Sequence, residues 1–156
     1  MVVANAEARI WELGVALPTA PTPFGAYVEA VQSGSLLFLS GMLPVLAHVP
    51  VYIGLVGRDL TVAQGYDAAR MACLSGLAAV RSHLGSLDKV RTIVKLGVYI
   101  AAESDFREHP KVADGASDLL KSIFGTDRLS ARIVLGVSSI PLGMPVEVEL
   151  VLEIES

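Results

Sequence analysis

Arg132 and Glu147 are the residues whose types and spacing point most directly to chemistry. They sit on the last two β-rich runs, Ala131–Val137 and Val146–Ile154, joined by the turn Ile140-Pro141-Leu142-Gly143. Alternation predicts that both face away from the helices, on strands that the turn pairs with each other. An arginine held there offers a two-pronged donor to a carboxylate. A glutamate beside it can orient or deprotonate a water. The same two residues also make sense as a structural ion pair at an interface, and pattern by itself leaves both readings open.

Other catalytic groupings are missing. No HExxH, CxxC, GxSxG, Walker loop or GxGxxG occurs. His48 lies in an apolar loop, His83 near a helix C-terminus and His109 just before Pro110, too scattered to cooperate. Cys73 falls on the apolar face of a helix and reads as an inert core thiol. These features argue against hydrolysis driven by imidazole or thiolate.

The elements that must position Arg132 and Glu147 follow from the pattern. Residues 5–13 read as a short helix capped by Asn5 and ended by Gly14, followed by a proline-rich arm with Pro18, Pro21 and Pro23. Tyr27–Val31 and Leu36–Ser40 read as a hairpin. Residues 43–57 read as a long loop with one short strand. Thr61 and Gln64 form a capping box that opens a helix over 62–84, stopped by Gly85. Val90–Ala101 alternates as a strand, with Val90, Thr92, Val94, Leu96, Val98 and Ile100 on one face. A further helix is opened by Pro110 and closed by Gly125, with Val112, Ala116, Leu119 and Ile123 as its stripe. The expected architecture is one α+β domain in which two helices cover one face of a mixed sheet of about four to six strands.

Composition bounds the rest. The chain has 156 residues, enough for one domain. Twelve Lys+Arg against sixteen Asp+Glu give a net charge of −4, which argues against a nucleic-acid partner held by general electrostatics. A single cysteine excludes an internal disulfide and a Cys-rich metal site. Hydrophobic residues make up 53% and charged residues 18%, so surplus apolar surface is expected to lie between subunits. No basic start followed by an apolar run marks a secretory leader. The apolar window 43–57 is too short to span a bilayer and is interrupted by Pro44, His48 and Pro50. A soluble, cytoplasmic protein with no membrane partner is expected.

The stretches FGAYVEAV (24–31), LFLSGM (37–42), VYIAAESDF (98–106) and SARIVLGVSSIPLGMPVEVEL (130–150) together resemble the reactive-intermediate deaminase (Rid) family, also called YjgF or L-PSP endoribonuclease-like. The resemblance covers about residues 20–155, and leaves 1–19 as an N-terminal helical extension of a single domain spanning 1–156. It implies a chorismate-mutase-like fold (bacillary type), a homotrimer with a central barrel, and clefts between subunits. It implies hydrolysis of small 2-imino or enamine acids to 2-keto acids and ammonia, with no metal or organic cofactor. By the same resemblance Arg132 matches the arginine that binds the substrate carboxylate, and Glu147 the glutamate near the attacking water. Tyr27 matches the tyrosine at the cleft edge, Ser40 and Gly41 the cleft wall, and Val134 a position whose backbone carbonyl meets the imine nitrogen. Asp114 takes the place of a helix asparagine, and Met42 that of a glutamine. These departures leave room for a non-catalytic trimer that binds small carboxylates or a protein partner. The older family name suggests an endoribonuclease or translation inhibitor, which the net charge and the lack of a histidine pair weigh against.

Overall fold

The computed structural model describes residues 5–155; residues 1–4, the first part of the expected extension, lie outside them. Three helices, α1 (Ala6–Glu12), α2 (Val62–Leu84) and α3 (His109–Phe124), accompany seven strands. These are β1 (Ala30–Ser33), β2 (Leu36–Leu39), β3 (Val45–Leu46), β4 (Val49–Pro50), β5 (Val90–Ala101), β6 (Ala131–Val137) and β7 (Val146–Ile154). The main sheet has five strands in the order β1-β2-β7-β5-β6. All pairings are antiparallel except β5 with β6, so the sheet is mixed as expected.

Local signals act where the sequence places them. The Asn5 side chain accepts from the Ala8 amide and opens α1. Thr61 and Gln64 close both halves of the capping box on α2, and Gly85 ends it in the left-handed conformation that costs glycine least. Gly34, at φ 60, makes the two-residue turn between Ser33 and Leu36 in the β1–β2 hairpin. On β7 the apolar series Val146, Val148, Leu150, Leu152 and Ile154 is buried throughout. It meets Leu37 and Leu39 of β2, the middle of α2 and the stripe Val112, Ala116, Leu119 and Ile123 of α3 in one core.

Several expectations change. β6 does not pair with β7: β5 runs between them, because the crossover through α3 brings β6 back parallel to the outer edge of β5. β5 is not a regular alternation. Register shifts between Val90 and Thr92 and between Ile93 and Lys95 put Ile93 in the core and leave Val94 exposed. The window 43–57 holds two short strands rather than one, β3 and β4, turned by Ala47 and His48 at positive φ. A third helix, α1, is docked on α3 and on the turn before β5. Its Glu7 accepts from the Arg81 guanidinium and from the Leu87 amide, which ties the N-terminal segment to the body.

The tightest crossing in the helix layer is at Gly115. A side chain there would run into the backbone carbonyl of Tyr66 on α2, and one at Gly65 would press on Val112 at 3.0 Å. Backbone cannot yield as a side-chain tip can. Gly115→Ala is therefore expected to push the helices apart at a cost of about 1–3 kcal/mol, more than the roughly 1 kcal/mol that alanine gains in helix propensity. Thermal unfolding should show Tm lowered by a few degrees; an unchanged or higher Tm would mean that the two helices are not in contact there.

Candidate functional site

Glu147 stands second on β7, opposite Tyr99 of β5, on the sheet face that no helix covers. Beside it the chain leaves β2 and forms one further bridge, with the Met42 amide donating to the Val148 carbonyl at 2.6 Å and the Val148 amide returning to Met42 at 2.9 Å. That bridge brings Gly41 directly under the Glu147 carboxylate, where any side chain on residue 41 would overlap it. Gly41 is thus glycine because the carboxylate occupies the space of its missing Cβ. Half-buried there, Glu147 has its carboxyl pushed above the usual range, first by desolvation and then by the negative charge of Glu149. Glu149 accepts a 2.6 Å hydrogen bond from the Tyr99 hydroxyl, and that bond, more than burial, raises the phenol in turn.

Ser40 and Tyr27 flank this carboxylate. The Ser40 hydroxyl donates to the Val28 carbonyl at 2.6 Å, and the Tyr27 hydroxyl accepts from the Phe24 amide at 3.0 Å. Both hydroxyls therefore brace the incoming arm. The arm is held further by Phe24, which meets the His48 ring edge-on, and by the contact of Thr22 with His48 at 3.3 Å. Phe24, Tyr27, Ser40 and Gly41, together with Leu43, Pro141 and Leu142, enclose an open cavity of about 600 Å³ with Glu147 in its wall.

Arg132 is elsewhere. In the parallel register it lies opposite Leu96, which is buried under the helices, and so it faces α3. Its Nη1 donates to Asp114 Oδ1 at 2.7 Å and to Ser117 Oγ at 3.1 Å, both on α3. The expectation that Arg132 and Glu147 share the uncovered face and a strand pair is thus corrected: they are on opposite faces of the sheet, with β5 between their strands. Val134 faces the same way as Arg132 and packs on the main core. Asp114 is the ion-pair partner of Arg132.

The expected site residues therefore form two sets. Tyr27, Ser40, Gly41 and Glu147 come together; Arg132, Asp114 and Val134 gather at the outer edge of the sheet. Pattern reading missed the apolar wall of Phe24, Leu43, Pro141 and Leu142 and the Tyr99–Glu149 pair behind Glu147. The turn Ile140–Gly143 carried a usable signal, a proline and a glycine bracketing a leucine, but it was read as a connector only. Cys73 is fully buried, and desolvation pushes its thiol up to about 12, which keeps it inert. Among the described residues no cluster of His, Cys, Asp or Glu could hold a metal ion.

Comparisons with known proteins find relatives over nearly the whole chain. A family model described as "YjgF/chorismate_mutase-like, putative endoribonuclease" matches residues 7–154. "Protein TCP17" of Trypanosoma cruzi is 39% identical over 96% of this chain and 94% of its own. A "2-iminobutanoate/2-iminopropanoate deaminase" of Dermatophagoides farinae is 30% identical over 90% of this chain and 95% of its own. The crystal structure of Atu1372, a protein "with unknown function" from Agrobacterium tumefaciens, superposes with a TM-score of 0.88 at 37% identity, covering 96% of this chain and 92% of that one.

The raised Glu147 carboxyl has a consequence for stability. The folded chain binds this proton more readily than the unfolded one, so the group lowers stability as pH climbs from 4.5 through its raised value. Glu147→Gln removes that penalty. Thermal melts should show wild type and variant alike below pH 4.5, with the variant gaining the higher Tm as pH approaches neutrality; the reverse order at neutral pH would show Glu147 making a net stabilising contact.

Proposed function

The chain belongs to the YjgF/chorismate mutase-like family, and on that premise we propose that it hydrolyses 2-imino acids to 2-oxo acids and ammonia in a cleft between two copies of itself. The observation that carries this reading is the separation of Arg132 from Glu147. Each is half of a carboxylate-binding hydrolytic site, and one chain keeps them on opposite faces of its sheet. A second copy completes the site when its β6 edge brings Arg132 to the pocket over Gly41. The uncovered sheet face supports such an assembly. Val31, Phe38, Ile133 and Leu135 are all exposed on it, an apolar surface that a soluble monomer rarely leaves open. The trimer and central barrel expected from the resemblance belong to this proposal. So does the transfer of activity from the mite deaminase.

The chemistry asks little of the protein, because a 2-imino acid is already electrophilic at C2. The guanidinium of Arg132 fixes the substrate carboxylate through Nε and Nη2, which have no partner among the described residues, while Nη1 stays on Asp114 and Ser117. Glu147 accepts a proton from water as its oxygen bonds to C2. The same carboxyl then returns the proton to nitrogen. The carbinolamine then passes its hydroxyl proton through the same carboxylate to the amino group; the C–N bond breaks, ammonia leaves, and the C2 oxygen becomes the carbonyl. A carboxyl raised by burial suits these transfers. Val134 serves through its backbone carbonyl, its side chain being turned into the core.

The ion pair of Asp114 with Arg132 favours a second reading, a trimer that binds small carboxylates without turning them over. Ribonuclease activity is opposed by the net charge of −4, which disfavours a polyanionic partner held by general electrostatics.

The test is release of 2-oxobutanoate from enzymatically generated 2-iminobutanoate. Arg132→Ala and Glu147→Gln are each expected to lower kcat/KM by about 10²–10⁴-fold. Mixing the two inactive variants by dissociation and reassembly should restore about a quarter of wild-type activity, because that share of clefts draws an intact Arg132 and an intact Glu147 from different chains. Equal rates for wild type, variants and no protein end the deaminase reading; no rescue on mixing ends the shared cleft.

A further inference from the structure

We infer that the pocket beside Glu147 selects 2-imino acids with a large apolar side chain, such as the imine derived from leucine, over the small imines derived from alanine or 2-aminobutyrate. The inference rests on the deaminase reading and names the substrate class of the same site. Three observations carry it.

The first is the chemistry of the wall. Apart from Glu147, its polar side chains are Ser40 and Tyr27, and both hydroxyls are committed to the arm, one donating to Val28 and the other accepting from Phe24. What remains facing the cavity is carbon: the rings of Phe24 and Tyr27 with Leu43, Pro141 and Leu142. A polar or charged substrate side chain would find there only the remaining Tyr27 O–H donor and Ser40 lone pairs, and would lose most of its hydration without return. The second is size. The wall made by Phe24, Tyr27, Leu43, Pro141 and Leu142 is wider than a methyl or ethyl group can cover, so a small imine leaves most of its apolar surface wet. Each methylene group moved from water onto such a wall is worth about fourfold in binding.

The third is the way the wall is held. Leu142 sits at φ 59 and ψ 18, a left-handed conformation that a leucine adopts only under constraint. The constraint is visible: Pro141 precedes it, the Gly143 amide donates to Ile140 at 3.1 Å, and the Gly143 carbonyl accepts from Gly54 at 2.9 Å. The cost would vanish with glycine or asparagine at this position, yet the residue is a leucine, 61% exposed and projecting over the cavity. Below it Leu43 is buried in a small cluster with Val45, Ala101, Ile140 and Met144, which gives the wall a rigid backing. The strained turn and the rigid backing together hold apolar surface at the mouth of the site.

The experiment compares kcat/KM for the imines generated from L-leucine and L-alanine by an L-amino-acid oxidase, alongside calorimetric binding of the products 4-methyl-2-oxopentanoate and pyruvate. Wild type should prefer the leucine-derived pair by about tenfold or more in both measurements. Leu142→Gly should reduce that preference several-fold while Tm holds or rises, since glycine accepts the left-handed backbone. Equal or greater rates with the alanine-derived imine overturn the inference and leave the deaminase reading standing, as does a preference unaltered in Leu142→Gly. No hydrolysis of either imine, with the tenfold preference retained in binding, overturns the deaminase reading and supports the selective pocket.

Discussion

The parallel pairing of β6 with β5 is the constraint on which the rest of the molecule turns. It is set by register: Leu96, Val98 and Ile100 point into the helix layer, so their neighbours Arg132, Val134 and Gly136 must point there too. Slipping β6 by one residue would bury Ile133 and Leu135 and swing the guanidinium to the other face, but Arg132 would then lose Asp114 and Ser117. The observed phase keeps a charge-assisted bond at the sheet edge and turns the more apolar row outward. An outward apolar row on an edge strand is unstable as a free surface and favourable as a contact. The register that separates Arg132 from Glu147 within one chain is thus the same register that leaves the apolar row of Ile133 and Leu135 exposed.

Charge on the uncovered face is handled by short connections. Glu147 and Glu149 lie two residues apart on β7 and point the same way. Glu149 is bound by Tyr99 and lies over Gly97, whose missing side chain makes room for it, while Glu147 lies over Gly41. Two glycines thus hold two carboxylates flat against the sheet. Burial against the sheet raises Glu147 first, and Glu149, flattened close by, adds its opposing charge. The proton affinity of Glu147 is therefore a product of backbone geometry at Gly41 and Gly97 as much as of its own position.

Much of this was legible in the residues, and the parts that were not share a cause. The α2 helix, its capping box and its Gly85 stop are local, as are the alternation of β7 and the stripe of α3, and all are found where the pattern puts them. The resemblance named the right family; of the seven residues it placed in one site, one chain brings Tyr27, Ser40, Gly41 and Glu147 together and holds Arg132, Asp114 and Val134 apart from them. What failed was non-local. The two bulges that move Ile93 into the core depend on the partner strand β7, and nothing in the alternation of Val90–Ala101 announces them. The facing of Arg132 was misread because the Ile133–Leu135 row looks like the core-facing one. That inference holds for a strand whose exposed face is polar and fails for this edge strand, whose exposed face carries the more apolar row. The wall residues Phe24 and Leu142 come from an arm and a turn, which carry no periodicity at all.

Arg132 and the apolar wall bear on one another. An arginine already paired with Asp114 has its geometry fixed before any ligand arrives, which spares the ordering cost of binding. The same pairing cancels most of its long-range pull on an anion, although Asp114 is nearly half exposed and water softens the competition. In the proposed shared cleft the guanidinium would orient a carboxylate more than attract one, and every 2-imino acid would offer it the same carboxylate. Discrimination between substrates has to come from the other end of the ligand, where Phe24, Leu43, Pro141 and Leu142 meet the side chain. Weakening the common anchor enlarges the share of affinity that the variable group must supply. On the proposed reading, such a site would be selective because its arginine is restrained.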